Sequence, residues 1–96
     1  MFLVMTTYKK SVEEIDKFLP AHSAFLDRYY EKKKIIFSGR RIPRVGGLIL
    51  YNTEKKEEVL EFIAKDPFKQ KGIAEYELFE FTPTKYDEYF GNFVHP

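Results

Sequence analysis

The chain has 96 residues, enough for one domain, with 44% apolar residues, 18% aromatics and no cysteine. Without cysteine there are no disulfides, thiolate metal sites or thiol nucleophiles. The net charge of +1 lacks the basic excess of a nucleic-acid binder, and no stretch reaches the ~20 apolar residues of a membrane span.

Met1 to Met5 is apolar but short, with no basic region ahead of it, so it does not read as a secretory signal. A cytoplasmic location is the expectation. Phe2 to Thr7 reads as a first strand. Ser11-Val12-Glu13-Glu14 is a capping-box pattern that opens a helix. Its apolar and aromatic positions (Val12, Ile15, Phe18, Leu19, Phe25, Leu26, Tyr29, Tyr30) recur with a 3.6 period. Pro20 predicts a kink or break there, starting the second half as a first-turn residue. Lys32, Lys33 and Lys34 suit the exposed C-terminal end of that helix, against its negative pole.

Ile35 to Arg41 reads as the second strand, and Gly39 inside it suggests a bulge or a close backbone approach. Pro43 to Gly47 is a turn, leading into a third strand from Leu48 to Tyr51. Asn52 or Thr53 is placed to cap a second helix that runs to Lys65, with a stripe of Val59, Leu60, Phe62 and Ile63. Gly72 marks a loop. Tyr76 to Phe81 is the fourth strand, stopped at Thr82-Pro83. Thr84 to Phe90 suits a short terminal helix closed by Gly91.

The order βαββαβ predicts an α+β, ferredoxin-like fold: a four-stranded antiparallel sheet with two helices on one face. We expect one domain over residues 1–96, with a core at 1–82 and a C-terminal tail at 83–96. The first and third strands do not alternate, so both sheet faces call for cover. Two helices cover one. A second copy of the chain, packed sheet to sheet, would cover the other. The alternative cover is the tail, with Tyr86, Tyr89, Phe90 and Phe93.

Two residues stand out for chemistry. His22 is three or four positions from Phe18, Leu19, Phe25 and Leu26, which sets it on the buried stripe. It reads either as a core histidine bonded to a backbone carbonyl or as a general acid or base. Asp66 precedes Pro67, which disfavours helix in the residue before it. A carboxylate at a helix C-terminus opposes the macrodipole, at a cost of about 0.3–1 kcal/mol, and calls for a compensating partner. Otherwise Asp66 initiates a turn and accepts backbone N–H bonds from residues ahead.

Arg40, Arg41 and Arg44 crowd one turn and suit either an anion or plain solvent. Ser38 has no base placed beside it in sequence and is not an activated nucleophile. Two distant histidines form no metal-ligand pattern.

Taken in order, His22-Ser23-Ala24-Phe25-Leu26, Phe37-Ser38-Gly39-Arg40, Gly46-Gly47-Leu48-Ile49 and Asp66-Pro67-Phe68 with Gly72 resemble the YciI-like (YCII-related) family. The resemblance runs from the first strand to Phe81. It implies a ferredoxin-like chain that pairs into a dimeric α+β barrel. It implies a catalytic His-Asp dyad at His22 and Asp66, and a substrate pocket near Ser38 and Gly39, beside which we count Arg40 as a substrate-binding candidate of this chain's own. No cofactor is implied. The activities implied are of lyase or isomerase type on a cyclic or phenolic small molecule. One branch of the family is a dehydrochlorinase of chlorinated hydroxyhydroquinones. Where the family often has proline after the Ser-Gly pair, this chain has Arg40, which suits an anionic ligand if it faces the pocket. The competing reading is a non-catalytic ligand-binding or assembly module of the same fold.

Overall fold

The computed structural model describes residues 1–95. Strands β1 (Phe2–Tyr8), β2 (Ile35–Arg40), β3 (Gly46–Tyr51) and β4 (Ala74–Glu80) form one antiparallel sheet in the order β2-β3-β1-β4. Helices α1 (Val12–Glu31) and α2 (Lys56–Ala64) provide the two long helical segments. A short helix α3 (Pro67–Gln70) precedes β4. The fold is α+β and ferredoxin-like. Among the described residues, no helix is long and apolar enough to cross a membrane.

The helix-facing side of the sheet carries Phe2, Val4, Ile49 and Tyr51, which pack with Phe25 and Tyr29 of α1 and with Val59 and Ile63 of α2. A second cluster of Ile15, Phe68, Ile73 and Ala74 closes the other end. Tertiary burial of this kind, rather than propensity, supplies most helical stability. The Ser11 side chain caps α1 by accepting from the Glu14 N–H.

Several expectations need correction. Pro20 does not break α1, which runs unbroken across it. Its ring φ already suits a helix, and the position is exposed, so the unserved Asp16 carbonyl lies on the solvent side. The turns on either side are held by the buried Ile15 and Phe25. Neither Asn52 nor Thr53 caps α2. Its N-cap is Lys55, without a side-chain cap bond, while Thr53 Oγ1 accepts from the Lys55 N–H. Leu60, assigned to the buried stripe, is half exposed. The terminal helix expected over Thr84 to Phe90 is only a 3-10 turn, Glu88–Phe90, which Gly91 does cap, its N–H donating to the Glu88 carbonyl. Gly91 also opens a helical turn, Gly91–Val94.

Gly39 is not the bulge. The register of β2 on β3 slips between Ile35 and Phe37. A one-residue slip moves all later side chains to the opposite face. Ile35 pairs with Tyr51 on the helix-facing side, and beyond the slip Ser38 pairs with Ile49 and Arg40 with Gly47 on that same side. Without it, Phe37 and Gly39 would stand there. A Cβ at Gly39 would meet no atom within 4 Å, and the close approach to its backbone comes from across the ladder, where a Cβ at Gly47 would sit 2.8 Å from the Gly39 carbonyl oxygen. The tightest contact is at Gly46, where a Cβ would sit 1.8 Å from the Thr6 carbonyl oxygen.

The outer face bears an apolar row across all four strands: Phe37, Leu50, Leu3 and Phe79 are successive register partners. The tail reaches part of it. Tyr86 and Phe90 join Leu3, Phe37 and Leu50 around a cavity of about 590 Å³. Phe37 and Phe79 each remain 48% exposed.

Candidate active site

His22 projects from the middle of α1 toward the start of α3. Its Nδ1 lies 2.9 Å from Asp66 Oδ1. The ring stacks on Phe68, with centroids 4.0 Å apart and planes at 6°. Phe25 lies further off at 6.2 Å. The His22 side chain is 13% exposed and Asp66 is 0% exposed.

Asp66 is not at an unfavourable helix end, which corrects that expectation. Helix α2 stops at Ala64 with Lys65 as its C-cap, and Asp66 is the N-cap of α3 with Pro67 in the first turn. Its Oδ1 accepts the Phe68 N–H at 3.0 Å. An aspartate before a first-turn proline is a favoured helix start, not a penalty. The turn-initiating reading and the His22 contact coexist in one side chain. The second oxygen, Oδ2, accepts from the Tyr76 hydroxyl at 2.7 Å. Burial, and then the Asp66 charge, push the Tyr76 phenol well above the ordinary tyrosine range, so it remains a donor.

A carboxylate can only accept, so the contact assigns the proton of a neutral imidazole to Nδ1. Nε2 then carries the lone pair. Among the described residues it has no protein partner. The His22 ring lines a cavity of about 260 Å³ between α1 and the β2-β3 end of the sheet. Leu19, Leu26, Ile49 and Phe68 form apolar walls. Ser38, Gly39 and Arg40 all line it too. Asp66 is behind His22 and does not line the cavity.

Ser38 Oγ and Tyr30 Oη are 2.7 Å apart, and either can donate. Arg41 and Arg44 are engaged elsewhere. Arg41 donates to the Thr6 carbonyl at 3.2 Å and to Thr7 Oγ1 at 2.9 Å. Arg44 pairs with Asp16 of α1 and holds that carboxyl below its usual range. Arg40 is thus, among the described residues, the cation of this turn left to face the cavity. Among the described residues, no three His, Cys, Asp or Glu side chains gather to hold a metal ion.

Sequence reasoning missed Tyr30 and Tyr76. Tyr30 was legible in part, since His22, Leu26 and Tyr30 recur every four residues along one helix face. For Tyr76 only the face was legible, from its period of two with Ala74 and Leu78.

The family model described as YCII-related domain matches residues 1–82. Among solved structures, the chain is similar to 5-chloro-2-hydroxyhydroquinone dehydrochlorinase from Burkholderia phenoliruptrix, in complex with 2,5-dihydroxybenzoquinone. The two share 19% identity with a TM-score of 0.69, over 85% of this chain and 94% of that one. At that identity the likeness bears on the fold. No curated protein sequence matches the chain.

Proposed function

The chain belongs to the YCII-related domain family, and from that premise we propose that it is a small-molecule enzyme of lyase or isomerase type. The observation that carries this reading is the contact between His22 Nδ1 and the fully buried Asp66, on a ring that also lines a cavity. Nε2 of His22 is the general base. It takes a proton from a carbon or hydroxyl of the substrate and returns it later in the cycle. Asp66 holds the tautomer and balances the imidazolium that forms. It does not itself touch substrate.

A cavity of about 260 Å³ suits a ligand smaller than drug size, such as a single substituted ring. Its apolar walls suit the ring faces. Ser38 and Arg40 suit an oxygen substituent, and Arg40 favours one that is anionic. The hydroxyquinone bound by the similar dehydrochlorinase has this chemistry, which supports a cyclic or phenolic substrate. The reading needs no cofactor. The apolar row on the outer face supports a homodimer, with residues 1–82 as the catalytic core.

Deuterium uptake tests the proton-transfer step directly. With 2,5-dihydroxybenzoquinone as probe in D₂O, the protein should speed loss of the ring C–H signal over buffer. His22→Gln should slow that catalysed exchange by about 10²-fold or more. Exchange no faster than buffer alone, or unchanged in His22→Gln, would remove the base from His22.

A further inference from the structure

We infer that Tyr76 is a positioning residue that sets how strongly His22 holds its proton, acting through Asp66 and never touching substrate. The inference rests on the reading of His22 as the base and adds a residue that this reading does not require.

Tyr76 stands on β4 opposite Thr6, on the helix-facing side of the sheet. Its hydroxyl reaches Asp66 Oδ2 at 2.7 Å while the Phe68 N–H holds Oδ1 at 3.0 Å. A carboxylate pinned at both oxygens cannot turn about its Cβ–Cγ bond. Oδ1 therefore stays aimed at His22 Nδ1. The same two donors share the negative charge of a fully buried anion. Each share they take is withdrawn from the attraction between the carboxylate and an imidazolium. Short bonds to an ionised acceptor are the strong ones, so the phenol takes a large share.

Other titratable groups surround the pair, and none replaces this bond. Tyr51 of β3 is buried near Asp66, but its hydroxyl has no partner among the described residues. Tyr8 of β1 and Arg40 of β2 line the cavity in front of His22. Lys69 of α3 lies 5.7 Å over the Tyr76 ring and makes no bond to the carboxylate. Among the described residues, Tyr76 is the one side chain besides His22 that donates to Asp66.

The test follows the His22 imidazole resonances by NMR as pH is varied, with His95 as internal reference. In Tyr76→Phe the carboxylate loses one donor and its charge concentrates toward His22. The His22 midpoint should rise above that of wild type, because the carboxylate then attracts the imidazolium more than it attracts the neutral ring. With 3-fluorotyrosine at position 76, a more acidic phenol donates more strongly and the midpoint should fall. A residue that only packs would move neither. An unchanged midpoint in folded Tyr76→Phe overturns the inference. If Tyr76→Phe does not fold, the fluorotyrosine protein decides, and a midpoint equal to wild type overturns it. This readout needs no substrate. Shifted midpoints with deuterium exchange insensitive to His22→Gln would uphold Tyr76 and sink the proposed activity.

Discussion

Asp66 Oδ1 serves two donors at once: the Phe68 backbone N–H at 3.0 Å and His22 Nδ1 at 2.9 Å. One oxygen thus starts a helix and orients the candidate base. Local folding and chemistry are tied to the same atom. Asp66→Ala should remove the cap and leave a buried phenol and N–H unpaired. The expected loss is about 3 kcal/mol. Asp66→Asn keeps an acceptor for Phe68 and should cost about half as much. Urea denaturation of the two variants measures this. Equal stabilities would mean the cap is not supplied by the side-chain oxygen.

Alkaline pH should unfold this protein through its buried phenols. Burial comes first and the Asp66 charge second in raising both Tyr51 and Tyr76. Their unfolded values are near 10, and their folded values are higher. The stability they contribute is fully present below pH ~10 and is lost as pH rises toward the folded values. The slope is about 1.4 kcal/mol per pH unit for each tyrosine. Tyr76→Phe should flatten that slope while costing stability at neutral pH. Tyr51→Phe should flatten it at little cost, since its hydroxyl has no partner to lose among the described residues. Melting temperatures across alkaline pH separate the two. A wild-type curve as flat as both variants would contradict the argument.

The row of Phe37, Leu50, Leu3 and Phe79 leads us to expect a homodimer formed through the outer sheet face. Light scattering at micromolar concentration should give twice the chain mass. Phe37→Asp should give a folded monomer, because a lone charge buried between two sheets is not tolerated. A wild-type monomer would leave the face to the tail.

Arg40 faces the cavity without a protein partner for its guanidinium among the described residues. Arg40→Ala should weaken a small phenolate or carboxylate by about tenfold, with the fold intact. Titration calorimetry with 2,5-dihydroxybenzoquinone reads this. Unchanged affinity would return Arg40 to plain solvent exposure.

Pro20 sits inside an unbroken helix at an exposed position. Pro20→Ala restores the missing N–H donor and should stabilise the protein by about 1–2 kcal/mol, less than the full helix-interior penalty because the unfolded chain also gains freedom. A lower melting temperature in that variant would show that the proline shapes α1 in a way its neighbours need.

The periodicities of 2 and 3.6, the Ser11 cap and the glycine turns were enough to read the order βαββαβ from the chain alone, because each depends on residues close in sequence. The unalternating runs at Phe2–Met5 and Leu48–Tyr51 likewise announced a sheet with two apolar faces. A helix C-terminus at Asp66, as the chain alone suggests, is not what draws it to His22, since Asp66 caps the start of α3. Which end of which helix holds Asp66 turns on α2 stopping at Ala64, a boundary settled by packing rather than by Pro67 alone. The register slip after Ile35 left no mark in the residues, yet it alone turns Ser38 and Arg40 toward His22. Tyr76 could be assigned to a face but not to a partner, since its bond joins a strand to a helix cap brought together only when the sheet and helices pack. Local pattern determines which side of its own element a residue occupies. Only the assembled layers decide which side chain stands across from it.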